Sequence, residues 1–319
     1  MSKKFFIWLG VSSIIIGAVI FVCAMSFLKW DFSKLSTNKY QTNEYQITEE
    51  FSSVLINTST ANIEFVASSE DKVKVVCYEE EGVKHEVIAD NETLKVSVND
   101  TRKWYQHVSI NFQTPKITVY MPVREYSSLT IKESTGNINL PSELKFNNID
   151  LKVSTGAVKC LSSANELIKI SSSTGDIKVE NVDCGAIDLS VTTGKIEVLD
   201  VNCDADVKMV VSTGKVILTN VSCKNLVSSG KTGDISLQKV VASEKFDIER
   251  STGDVKFEGC DAGEIFIQTD TGDVDGSLLT EKVFIVKTDT GDVDVPNSIT
   301  GGRCEITTDT GDVKIMIKN

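Results

Sequence analysis

From Ser134 onward the chain alternates apolar and polar positions in short runs, and a Thr-Gly pair opens each unit. After Gly175, the run Asp176-Ile177-Lys178-Val179-Glu180-Asn181-Val182 places apolar residues two, four and seven positions on. A second run closes the unit, as in Ile187, Leu189 and Val191, or Ile265 and Ile267. Period-two alternation rich in Val and Ile and punctuated by Gly marks strands with one buried face. The pair recurs ten times, at Gly136, Gly156, Gly175, Gly194, Gly214, Gly233, Gly253, Gly272, Gly291 and Gly311, at intervals of 19 or 20 residues. Two short strands cannot bury their apolar faces alone, but stacked on neighbouring units they can. The pattern predicts an all-β chain built as a parallel β-solenoid (β-helix or β-roll) of 19-20-residue coils, each rising about 4.8 Å. A unit of this length is too short for a βαβ crossover, which needs about 30 residues.

The same reading sets the boundaries. Phe5 to Leu28 is free of charge and preceded by Lys3 and Lys4. At about 1.5 Å per residue it is long enough to cross a hydrocarbon core of about 30 Å. Two lysines ahead of the run favour an N-terminus inside and the remainder outside. A cleaved signal peptide is the rival, with Ala24-Met25-Ser26 as a weak cleavage site, but its apolar region normally spans about 7 to 15 residues. The division expected is 1-29 as cytoplasmic N-terminus and membrane-spanning signal anchor, 30-45 as polar stalk, 46-130 as irregular β cap, and 131-319 as solenoid. Ser59-Thr60-Ala61-Asn62-Ile63-Glu64-Phe65 repeats the corner pattern with Ala61 in place of glycine, so the cap includes a degenerate first coil.

Composition narrows function by exclusion. The 33 basic and 45 acidic residues give a net charge of -12, and a polyanion without Lys/Arg patches repels nucleic acid. Acidity concentrates in 254–319, with 14 acidic against 6 basic residues. Outward Asp270, Asp273 and Asp275 recur as Asp289, Asp292, Asp294 and as Asp309, Asp312; stacked carboxylates repel, and a calcium ion would relieve this. These eight are weak calcium candidates; solvated turn aspartates are the plainer reading, because the glycine-rich double turns of a calcium β-roll are missing. No other metal or cofactor is expected. Stacked Thr269-x-Thr271, Thr288-x-Thr290 and Thr308-x-Thr310 continue the register of Ile265 and Ile267, so they should point inward and bond corner backbone. Cys184, Cys203 and Cys223 each lie nine residues after a repeat glycine and should form a ladder of buried free thiols. The uniform interval leaves no long loops for a catalytic cleft, and His85 and His107 lack a nucleophile motif, so no enzyme is expected. Trp104-Tyr105 beside Arg102 and Lys103 belongs either to cap core or to a ligand or membrane contact.

The Ser-Thr-Gly-Asp-Ile/Val-x-Val units behind a single N-terminal apolar span resemble the bacterial putative-adhesin family, β-strand-repeat domains of unknown function. The resemblance covers about residues 45-319. It implies the solenoid fold and, for membrane-anchored members common in Gram-positive bacteria, a place at the cell envelope beside stress-response genes. It brings no catalytic residues. The expectation is a single-pass cell-membrane protein with its C-terminal domain extracellular, acting as a binding or structural module for a cell-surface protein or envelope polymer. An envelope-stress accessory that binds a membrane, wall or sensor partner through the cap is the alternative, and a carbohydrate-active enzyme a distant third.

Overall fold

The computed structural model describes residues 3–31, 39–102 and 113–318. A single helix, α1 (Lys3–Phe27), precedes an all-β body. Its apolar side chains, Met25 apart, are exposed, and it is long and apolar enough to cross a membrane.

Each regular coil contains two strands that stack in parallel register on the coils before and after, as Ile187 does on Ile168 and Val207. Two corners join them. At the Thr-Gly corner the glycine amide bonds the threonine carbonyl of the next coil, for example Gly194 N to Thr213 O at 3.0 Å. At Gly194 φ is +149°, and a Cβ there would lie 2.1 Å from the carbonyl oxygen of Gly175. Close approach and a positive φ both demand glycine, which is why the residue recurs at every level. The second corner sits six residues on, at Asn181, Asp200, Asn220 and Lys239, all with φ between +52° and +54°. A left-handed residue there flips the side-chain parity, so the buried positions fall two, four and seven after the glycine rather than two, four and six.

Eight strands build the N-terminal end: β1 (Tyr40–Ile47), β2 (Ser53–Thr60), β3 (Asn62–Ser68), β4 (Val73–Glu80), β5 (Val83–Asp90), β6 (Thr93–Asp100), β7 (Lys116–Pro122) and β8 (Glu125–Thr135). β2 and β3 form a coil, with Ala61 fully buried at its corner under Gly136. It is not outermost: β2 lies between β6 and β8, and β3 between β7 and Ile138–Leu140. Beyond them β4 and β1 extend one face antiparallel, and β5 extends the other. Residues 40–45, expected in the stalk, are the first part of β1. Much of the expected irregular cap is therefore regular sheet continuing the two faces of the solenoid.

The opposite end departs from sequential stacking. Ile265–Thr271 pairs with Cys304–Thr310, and that strand pairs with Phe284–Thr290, so the last coil in sequence is inserted before the one that precedes it. On the other face Val313–Ile317 lies between Val274–Leu278 and the two-residue strand Val293–Asp294. Pro296 explains the order. A proline cannot donate to a ladder and is confined to edges, so the short strand before it takes the outer place. Val313 and Ile315 alternate regularly and are buried inside. Lys282, 3% exposed, pins the outermost coil by an ion pair with Asp261 at 2.7 Å.

The interior is a continuous column of Val, Ile and Leu. One level is unusual: Arg250 is buried, and the space for its guanidinium exists because Gly230 beneath it has no side chain. Burial pushes the Arg250 pKa down to about 10.

Candidate functional site

The corner aspartates have a structural task. Asp254 Oδ1 accepts the amide of Asp273 at 3.1 Å, Asp273 Oδ1 that of Asp312 at 2.8 Å, and Asp312 Oδ1 that of Asp292 at 2.8 Å. Asn62, Asn137 and Asp176 do the same lower in the stack. Where Asn or Asp follows the corner residue, its side chain is thus an acceptor that caps the next corner, which is the physical reason for Asp in Thr-Gly-Asp; Ala157, Lys195 and Lys215 take that place at the other levels. The inserted coil also changes the outer columns: Lys314 lies level with both Asp275 and Asp294 and separates them, whereas Asp270, Asp309 and Asp289 fall on three consecutive strands. Among the described residues no three of these carboxylates converge within 4.8 Å of one another.

Two further expectations need correction or relocation. Thr269 and Thr308 do point inward, and with Thr288 their hydroxyls donate to the carbonyls of Gly253, Gly272 and Gly311. Thr271, Thr290 and Thr310 are exposed, because the corner begins there and ends the alternation. The cysteines of the ladder are free and buried, with Cys184 in register on Cys203. Its hydrogen bond to Cys203 and then burial push the Cys184 pKa up, and burial takes that of Cys223 to about 12. His107, Trp104, Tyr105 and Lys103 lie outside the described residues. Arg102 bonds Asp100 at 2.7 Å and Glu80 at 3.3 Å.

His85 is the residue whose setting sequence reasoning missed. The turn between β4 and β5 carries the chain from one face to the other, so His85 of β5 meets Cys77 and Glu79 of β4 across the interior of the cap. All three are buried, at 4%, 0% and 0% exposure. Glu79 Oε2 accepts the His85 backbone amide and Nδ1, each at 2.6 Å, and Oε1 accepts Asn43 Nδ2 at 2.5 Å. His85 Nε2 lies 3.0 Å from the buried Thr58 hydroxyl, and Tyr45 donates its hydroxyl to the His85 carbonyl at 2.9 Å. Burial, and then Glu79, push the Cys77 thiol up to about 12, and burial raises Tyr45. Thr58 in turn lies in register beside Glu133, whose carboxyl burial pushes up to about 7. A sequence signal for this network existed: Cys77 and Glu79 occupy the inward parity of an otherwise apolar strand, Val73 and Val75. On the outer side of His85, a cavity of about 250 Å³ is lined by Tyr40, Val83, Val98, Arg102 and Pro115 among others.

Fold and sites together define a class: a parallel β-solenoid behind one apolar helix, closed at its N-terminal end by a cap with a polar interior. The chain belongs to the Toastrack DUF4097 family, whose model matches residues 51–211 and 204–319. Among solved structures it is similar to a putative lipid binding protein from Parabacteroides distasonis, 15% identical, with a TM-score of 0.51 over 88% of this chain and 98% of that one. A putative adhesin from Bacteroides fragilis is 16% identical, with a TM-score of 0.46 over 87% and 97%. At such identities the likeness is one of fold. No curated protein matches the chain.

Proposed function

We propose that this chain is a non-enzymatic binding or structural module of the cell surface, held to the membrane by α1 and presenting the far end of the solenoid to a cell-surface protein or envelope polymer. The observation that carries this reading is the asymmetry of the rod. The helix leads into β1 at the capped end, while the other end is uncapped and carries a net charge of -8 over residues 254–319. The edge at that end is two residues long on one face and followed by Pro296, and it carries Asp289, Asp292 and Asp294. Short strands, proline and charge discourage edge-to-edge stacking with another copy. A cationic surface fits the same charge.

The test uses the full chain in detergent micelles, sedimented with isolated cell envelopes. Binding is expected to fall at least tenfold when Asp289, Asp292, Asp294, Asp309 and Asp312 are changed to Asn, and to fall likewise in high salt. Unchanged binding of that variant would refute a role for the far end. The cavity beside His85 supports a second reading, in which the cap binds an envelope or sensor partner. It predicts loss of binding for Arg102→Ala and retention in the Asn variant.

A further inference from the structure

We propose that Cys77, Glu79 and His85 form a binding site for a single transition-metal ion of the zinc type, placed between the two faces of the cap. One ligand atom from each residue, a thiol sulfur, a carboxylate oxygen and an imidazole nitrogen, lies within 4.8 Å of the other two. This is the donor chemistry such ions select, and among the described residues it is the one group of its kind.

The surroundings of the three atoms carry the argument further than proximity alone. Metal-bound histidine is held through its second nitrogen by a neighbouring acceptor, and metal-bound carboxylate through its second oxygen by a donor. Both partners are in place. Thr58 Oγ1 lies 3.0 Å from His85 Nε2, so an Nε2–H can donate to it and leave Nδ1 as the ligand. Asn43 Nδ2 donates to Glu79 Oε1 and leaves Oε2 facing Nδ1. The Cys77 thiol is fully buried beside this carboxylate, and among the described residues no hydrogen bond reaches its sulfur. Among the described residues no lysine or arginine pairs with Glu79, and hydrogen bonds and the imidazole balance the buried carboxylate.

The same geometry supplies the route and the exchange. Nδ1 and Oε2 are 2.6 Å apart with a proton between them. An ion entering from the cavity that borders His85 takes the place of that proton, which is carried instead on Nε2 and donated to Thr58, and it binds Cys77 as thiolate, with the thiol proton passing to solvent. Solvent from the cavity completes the coordination. Bound there, the ion ties β4 to β5 and so fixes the two faces to one another.

The experiment titrates Co2+ into the chelator-treated full chain in detergent, follows thiolate-to-cobalt charge transfer and tetrahedral visible bands, and then competes with Zn2+. One equivalent is expected, displaced by Zn2+, together with a rise in the midpoint of thermal unfolding. Cys77→Ser should abolish the charge-transfer band and weaken binding at least 100-fold, and Thr58→Val should weaken it about tenfold while keeping the band. Failure of the wild-type chain to bind at least half an equivalent overturns the proposal, as does a Cys77→Ser chain that keeps the band. Those outcomes hold whether or not a variant is destabilised, because the first needs no variant and Thr58→Val keeps every ligand.

Discussion

The two ends of the stack finish the same coil in opposite ways. At the N-terminal end the interior is closed by β1, β4, β5 and β6, which extend both faces and meet over a buried network of Asn43, Glu79, His85 and Thr58. At the other end Phe284, Val286 and Val295 are only partly buried, Ile285 and Val293 are half exposed, and Ile299 is 91% exposed. One end uses polar specificity to hold a lid; the other uses a proline, a short strand and negative charge to stop the stack. A solenoid must end somewhere, and the difference shows that covering the core and repelling further strands are separate solutions to it.

The largest effect is expected from removing residues 312–319. Val313 and Ile315 are buried between two strands, and their transfer to water alone is worth about 4 kcal/mol. The outermost coil would lose its neighbour on one face. Amide exchange should become fast throughout 282–310 while 40–100 keeps its protection. Equal loss at both ends would mean that the rod melts as one unit and the ends are not independent.

Next is His85→Ala, which leaves the Glu79 carboxylate buried without its imidazole. Breaking a buried pair on one side typically costs about 3–5 kcal/mol. The counterpart at the open end, Lys287→Ala, breaks the exposed pair with Asp289, and such pairs are worth less than about 1 kcal/mol. Urea denaturation of both variants checks the contrast, and a His85→Ala cost below that of Lys287→Ala would sink it.

Glu133 gives the cap end a pH dependence. Its carboxyl is buried, Oε1 accepts the amides of Ala61 and Thr135, and Oε2 has no partner. The folded pKa of about 7 lies above the ordinary 4.5, so the fold binds the proton more tightly than the unfolded chain does. That contribution is fully present below pH 4.5 and is lost as pH rises through 7. Glu133→Gln keeps the acceptor and cannot ionise. It should match the wild type at pH 4 and exceed it by up to about 2 kcal/mol at pH 8, once partial screening at the corner is allowed for. Melting curves at the two pH values test this, and a gain of equal size at both would show that ionisation is not the cause.

The regular coils were legible because the levels share one rule: a glycine with no room for Cβ and inward Val or Ile at fixed offsets, with an acceptor after the glycine at most levels. Even Ala61 could be placed. What the pattern hid was order and depth. Periodicity treats Gly291 and Gly311 as successive levels, and only the consequence of Pro296 for a short strand reverses them. The Thr-x-Thr pairs read as two inward positions because alternation does not announce where a corner ends it. The cap network stayed hidden for a different reason: Thr58, Cys77, Glu79 and His85 come from three strands, and nothing in their spacing says that the turn after β4 takes His85 to the opposite face, where it meets the others across the interior.

The smallest predicted effect concerns Asp270, Asp309 and Asp289, level on three consecutive strands about 4.8 Å apart. Near the cap the same column holds Ser134, Ser154 and Ser173. Like charges directly opposite on neighbouring strands destabilise by a few tenths of a kcal/mol per pair. Asp309 is the middle member, so Asp309→Asn removes two repulsions and should stabilise by about 0.5 kcal/mol at low ionic strength. At 1 M salt the screening length is about 3 Å, shorter than the spacing, and the gain should vanish. Ser154→Asp, a lone charge in the same column near the cap, should change stability by less than about 0.5 kcal/mol. Calcium distinguishes screening from binding. If the column only repels, calcium and sodium salts at equal ionic strength raise the wild-type melting midpoint alike. A larger response to calcium that Asp309→Asn abolishes would turn the open end from a charged stop into a cation site.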